Sequence, residues 1–202
     1  MSISAVSATD RSDFRNVIVS GTKVGVATGV AVVAYLAVTR FVPPGMLRDL
    51  VSSVVVLAIA VVVSLLPGQW AVARSTEGVA GAAAIGLWGT VVFMAIDIVL
   101  LRPFKAYPWT WDAIGGGSSW WYLPIWWMLG TFVAWMGGLL TAGRNTRGPV
   151  AMGQIALSVL VGAVALAVAG RLAGCPVGFP VLVGAGYTVS LTVLALLSLR
   201  QA

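Results

Sequence analysis

The chain has 202 residues, of which 59% are hydrophobic and only 9% charged, and its mean hydropathy is +1.00. A soluble domain carries about 25% charged residues, so this composition excludes a water-soluble domain and predicts an integral membrane protein. The net charge of +6 comes from basic residues scattered singly beside apolar runs, where they meet lipid headgroups and form no cluster of the kind that binds nucleic acid.

The first residues form a polar tail in front of an apolar run. Residues 1–16 include Asp10 and Asp13 and lack a small-residue cleavage site after a short apolar core. We therefore expect a retained cytoplasmic N-terminal tail and not a cleavable signal peptide. Lys23 lies close to the start of the apolar run, where its ammonium group can extend to the headgroups.

Six segments are long and apolar enough to cross a bilayer, which takes roughly 20 residues of helix. They predict an all-α integral membrane protein whose single domain, residues 17–199, is a bundle of six transmembrane helices. The predicted spans are Val17–Val38, Leu50–Leu66, Val79–Leu101, Trp120–Leu140, Val150–Gly170 and Phe179–Leu199.

The connections between the spans contain residues that break or start helices. Phe41–Asp49 holds two adjacent prolines, and Pro67, which is followed by glycine, is expected to stop or kink the second span. Ser75 or Thr76 can cap the third helix, with Glu77 in its first turn.

Basic residues near the ends of the spans set the expected orientation. With the N-terminus in the cytoplasm, seven basic residues lie on that side and five on the other. Six spans then return the C-terminus to the cytoplasm and leave residues 102–119 as a Trp-rich outer loop. The seven are Arg11, Arg15, Lys23, Arg74, Arg144, Arg147 and Arg200, and the five are Arg40, Arg48, Arg102, Lys105 and Arg171.

Small residues recur at every fourth position on the first and fourth predicted helices. This spacing places them on one face of each helix, where two helix backbones can approach closely. Packing inside one bundle and contact between copies of the chain are both open. The positions are Gly21, Gly25 and Gly29, and Gly130, Ala134 and Gly138.

Asp97 is the only acidic residue inside a predicted span, and it lies toward the outer end of the third. Arg102 follows five residues later, so we interpret the two as an interfacial ion pair. The alternative is a proton or cation site in an outer vestibule. No ionisable residue falls near the middle of any predicted span, which argues against a proton-driven pump.

Neutral polar residues within the spans are the candidates for a polar pore lining. Gln154 and Ser158 lie four residues apart and share one helix face. Side chains of this kind commonly bond across a helix interface or back to their own carbonyls. The candidate lining is Thr90, Gln154, Ser158 and Tyr187.

Six of the nine tryptophans lie between residues 109 and 127, around a triple glycine and two serines. Indole rings favour the headgroup level, so an aromatic belt explains those at the membrane boundary but not Trp126 and Trp127, which lie deeper. A surface that docks a partner and a small-ligand site are the alternatives. The candidate contact residues are Trp109, Trp111, Trp120, Trp121, Trp126 and Trp127.

Residues that carry chemistry are scarce. The chain has no histidine, and Cys175 is its only cysteine. This excludes haem held by imidazole, most catalytic zinc sites, the usual general base and an internal disulfide. We expect no enzymatic activity, no metal and no cofactor beyond bound lipid.

Two functions fit these observations. The first is a non-catalytic subunit that packs against itself or against other membrane proteins, and the second is a small-solute channel or transporter. The lack of charge in the middle of the spans favours the first. The expected partners are membrane lipids and membrane proteins, with no nucleic acid.

Overall fold

The protein is an all-helical polytopic membrane protein with six helices long and apolar enough to span a membrane, which confirms the predicted bundle. The computed structural model describes residues 12–103, 106, 122–145 and 152–200, without the side chains of residues 122, 123 and 143–145. The helices are α1 (Phe14–Phe41), α2 (Met46–Trp70), α3 (Thr76–Ile96), α4 (Tyr122–Asn145), α5 (Met152–Leu172) and α6 (Phe179–Leu199).

The first and third helices begin at side-chain caps. Asp13 precedes α1, and its carboxylate accepts a hydrogen bond from the Asn16 backbone N–H at 3.2 Å. Of the two candidate caps for α3, Ser75 is the one used, and its hydroxyl accepts from the Gly78 N–H at 3.5 Å. Such caps satisfy N–H groups that have no partner within the helix.

The sequence predicted that Pro67 stops or kinks the second helix; the helix does not stop there and continues to Trp70. The ordinary helical pattern resumes at once, since the Ala71 N–H donates to the Pro67 carbonyl at 2.9 Å. Pro67 and Gly68 are buried, and a Cβ atom on Gly68 would meet Thr141 of α4. Packing against a neighbouring helix makes proline tolerable inside a membrane helix, and the sequence alone does not show that neighbour.

The third helix ends in a π-helical turn, Asp97–Leu101. The Arg102 N–H donates to the Asp97 carbonyl at 3.0 Å, five residues back instead of four. Single π turns inside α-helices occur frequently at functional positions. Here the turn changes which side chains share a face at the end of the span.

Five helices form a ring in the order α1, α3, α4, α6, α2, and each helix contacts its two neighbours in that order. The sixth, α5, lies outside the ring and packs mainly against α6. We call the end where α1 begins and α6 ends the terminal end. We call the opposite end, where α3 ends and α4 begins, the Trp-rich end, after residues 102–121 that follow α3 in the chain.

The ring is closed toward the terminal end, where α2 crosses to meet α4. A Cβ atom on Gly137 would overlap the Ser64 carbonyl oxygen, so the two backbones are in contact there. Asn16 donates its side-chain N–H to the Trp70 carbonyl at 3.0 Å, and the Lys23 ammonium lies 5.7 Å from the Trp70 ring centre. These contacts tie the start of α1 to the end of α2.

Candidate functional site

Both small-residue stripes contact the same helix, α3, from its two sides. On α1, Gly21 faces Trp88 and Gly25 faces Gly89, while Gly29 lies beside Ile96 at ordinary contact distance. On α4, the contacts pair Gly130 with Thr90, Ala134 with Gly86 and Gly138 with Ala82. The pairing numbers rise together for α1 and run oppositely for α4, so α3 is parallel to the first and antiparallel to the second.

The structure places Arg102 Nε 3.1 Å from Asp97 Oδ2. In a regular α-helix two residues five apart point in different directions, but the π turn brings them to the same face. Asp97 is buried, whereas the Arg102 side chain is about one-quarter exposed (24%). The carboxylate therefore lies inside the bundle and not on its exposed rim.

A central cavity of about 770 Å³ lies within the helix ring and extends from the middle of the bundle toward the Trp-rich end. All five ring helices contribute to its wall, and α5 does not. Most of the lining is valine, alanine, glycine and other apolar groups. Its volume is in the range of small-molecule pockets, which hold roughly 300–1,000 Å³.

Four of the five hydroxyl groups in the cavity wall are already engaged within the protein, and the fifth belongs to Tyr35. Thr28, Thr90 and Thr188 each donate to a carbonyl of their own helix, at 2.9, 2.7 and 3.1 Å. The Tyr187 hydroxyl forms a 2.7 Å hydrogen bond with the Ser64 hydroxyl. The middle of the cavity thus presents a surface with little capacity to bind a polar solute.

The structure separates the four residues that were candidates for a polar lining. Thr90 and Tyr187 both line the central cavity, whereas Gln154 and Ser158 do not. The latter two are exposed on the outer side of α5, because α5 meets the bundle through a different face. That buried face is Ile155, Val159, Ala163 and Ala167. Of the four candidate lining residues, only Thr90 and Tyr187 therefore share a cavity.

The tryptophans at the start of α4 point in different directions. Trp126 lines the cavity and packs edge-on against Phe93, with ring centres 6.3 Å apart. Trp127 lies outside the cavity and is 41% exposed. The remaining candidate contact residues, Trp109, Trp111, Trp120 and Trp121, lie outside the described residues.

An outward surface on α4 extends deeper than the sequence candidates suggested. We call it the tryptophan face; it consists of Trp127, Met128, Thr131 and Trp135, which share one side of the helix by their spacing. Met128 is 72% and Trp135 46% exposed. The spacing of 127, 131 and 135 was visible in the sequence, but Trp135 could equally have faced the core.

Among the described residues, no group of three or more His, Cys, Asp and Glu side chains is placed to hold a metal ion. The geometry therefore offers two candidate sites, the central cavity and the tryptophan face, on opposite sides of α4. No family model, characterised protein or solved structure matches the chain, so its function has to be argued from these two sites alone.

Proposed function

We propose that the protein is a non-catalytic membrane subunit that packs, through the tryptophan face, against a second copy of itself or against another membrane protein. The observation that carries this proposal is the position of Trp135, which is 46% exposed on the outer side of the bundle.

The depth of Trp135 in the bilayer distinguishes it from the residues of an aromatic belt. The span of α4 runs from Pro124 to Ala142, and Trp135 lies about 17 Å along it at 1.5 Å per residue. The hydrocarbon core is about 30 Å thick, so the indole lies near its middle. Belts form at the headgroup level, where the N–H group finds polar partners. A protein surface supplies both the apolar area and a hydrogen-bond acceptor for an indole at this depth.

Transport of a small polar solute is less well supported. The Tyr187 hydroxyl in the cavity wall is paired with Ser64, and α2 meets α4 directly at Gly137. The threonine hydroxyls of the cavity wall donate to backbone carbonyls of their own helices. A conducting path needs polar groups that replace the hydration of the solute, and this wall supplies few of them.

Assembly of the full chain in mild detergent or nanodiscs tests the proposal. We expect the wild type to elute as a multimer or with a copurifying membrane protein. Trp127→Ala or Trp135→Ala should weaken that association by about 2 kcal/mol or more, the scale of an interface hot spot. Leu157→Ala is the control, because Leu157 is 61% exposed but lies on α5.

Light scattering distinguishes a second copy from a different partner, and circular dichroism establishes that each variant is folded. A wild-type chain that is monomeric and free of partners contradicts the proposal. Folded tryptophan variants that assemble as tightly as Leu157→Ala contradict it as well.

A further inference from the structure

The central cavity has a shape and chemistry of its own, on the opposite side of α4 from the tryptophan face. We infer that it binds a single-chain amphiphile, with the hydrocarbon tail inside the helix ring and a head that accepts hydrogen bonds at the Trp-rich end. This inference goes beyond the proposed function and does not depend on it.

The volume sets the size of the ligand. An apolar cavity of roughly 150 Å³ holds one benzene molecule, and the central cavity, at about 770 Å³, is about five times larger. A ligand with on the order of 30 heavy atoms therefore fits, by proportion to benzene. One alkyl chain with a small head has this size, whereas a phospholipid with two chains exceeds it.

The wall selects an apolar chain. The apolar side chains that line the cavity include Val32, Val55, Val56, Ile59 and Val133. The three threonine hydroxyls donate to their own helices, and the Tyr187 hydroxyl is paired with Ser64. A hydrogen-bond acceptor placed here would lose its hydration without finding a free donor. A hydrocarbon chain has no hydrogen bonds to water that it could lose, and it gains dispersion contacts along the wall.

Two hydrogen-bond donors lie at one end of this wall. Tyr35 is the lining residue of α1 nearest the Trp-rich end, and Trp126 is the lining residue of α4 nearest that end. Within the described part of the chain, neither the Tyr35 hydroxyl nor the Trp126 indole N–H has a hydrogen bond. Both can donate to an oxygen atom, which sets the direction of the ligand: head toward the Trp-rich end, tail toward Tyr187.

The contact between α2 and α4 on the terminal side of the cavity makes it a site that retains a ligand. The contact of Gly137 with Ser64 joins α2 and α4 in a layer on the terminal side of their cavity-lining residues, which end at Val63 and Val133. A chain that enters from the Trp-rich half of the bundle therefore stops at this layer and does not cross the protein.

The experiment uses the full chain in phosphatidylcholine nanodiscs, with empty nanodiscs subtracted. The first probe is cis-parinarate, a fluorescent fatty acid whose carboxylate accepts hydrogen bonds. The second is diphenylhexatriene, a fluorescent hydrocarbon without a head. We expect saturable binding of both probes, and displacement of parinarate by oleate.

Four variants locate the ligand. Ala185→Trp fills the cavity from α6 and should weaken both probes by at least about tenfold, while Ala165→Trp on the exposed side of α5 leaves binding unchanged. Ala31→Phe fills the cavity from α1 and serves if the α6 variant fails to fold. Tyr35→Phe should weaken parinarate by about tenfold, the loss of one hydrogen bond to a charged group, and leave diphenylhexatriene unaffected.

Each result decides one part of the inference. An absence of saturable binding, or equal binding by the folded cavity-filling variants and Ala165→Trp, overturns the site. Equal effects of Tyr35→Phe on the two probes overturn the placement of the head. Assembly through the tryptophan face is measured separately, so either proposal can fail without the other.

Discussion

Gly25 should not tolerate a methyl group, whereas Gly29, one turn further along the same helix, should. A Cβ atom on Gly25 would lie 2.6 Å from the Gly89 carbonyl oxygen and 2.6 Å from Val92 Cβ. At Gly29 the nearest atoms are Ile96 Cγ2 and Cδ1, at 3.4 and 3.5 Å. The first contact involves backbone and cannot be relieved by rotating a side chain, so α1 and α3 must separate.

The size of the difference follows from two opposing effects. In host helices alanine is more favourable than glycine by about 1 kcal/mol, and this gain applies at both positions. Overpacking a tight contact costs about 1–3 kcal/mol, and this cost applies only at Gly25. After subtracting the helix gain, we therefore expect Gly25→Ala to destabilise the protein by about 0–2 kcal/mol, which leaves it about 1–3 kcal/mol less stable than Gly29→Ala. Gly29→Ala should be neutral or stabilising by up to about 1 kcal/mol.

Unfolding in mixed micelles, titrated with sodium dodecyl sulfate and followed by helix content, measures both free energies. Gly153→Ala is a second control, because nothing lies within 4 Å of a Cβ atom there. If Gly25→Ala and Gly29→Ala change stability equally, the close contact between α1 and α3 is not as described, and the packing argument fails.

Two further predictions concern the ion pair and the orientation. Asp97→Ala should lower stability by about 3 kcal/mol, because it removes the carboxylate from a mostly buried guanidinium. The double variant with Arg102→Ala should lose less than the sum of the single losses; additive losses in the same titration would show that the pair is not coupled. With both termini in the cytoplasm, an impermeant maleimide added to intact cells should modify the native Cys175. In a Cys175→Ser background it should modify Pro44→Cys but not Arg74→Cys, and the reverse pattern would invert the orientation.

The fold could be predicted from the sequence because it depends on local quantities. Span length and hydropathy are properties of consecutive residues, and Ser75 and Glu77 mark a helix start at short range. The sequence left both a stop and a kink open at Pro67, because the tolerance of a proline inside the helix depends on α4, which lies about 70 residues further along the chain. A contact of that separation leaves no local pattern.

The candidate sites were predictable only in part, for a related reason. The spacing of Gly130, Ala134 and Gly138 shows that the residues share a face, and the structure adds that α3 covers it. The spacing of Gln154 and Ser158 shows a shared face equally well, yet that face points outward. Periodicity identifies which residues lie together but not which neighbour, if any, they meet. The central cavity needs five helices at once, so no single segment could reveal it.

The α3 helix explains why the bundle has both an internal cavity and an aromatic outer surface. Both small-residue stripes pack against α3, so α1 and α4 approach α3 closely. The same two helices cannot also pack closely against α2 and α6 along their whole length. The gap that remains is the central cavity, which all five ring helices line. With one side of α4 against α3 and another toward the cavity, its third side is left for large residues, and Trp127 and Trp135 occupy it. The glycines that give the ring its tight contacts thus determine where the central cavity and the tryptophan face lie.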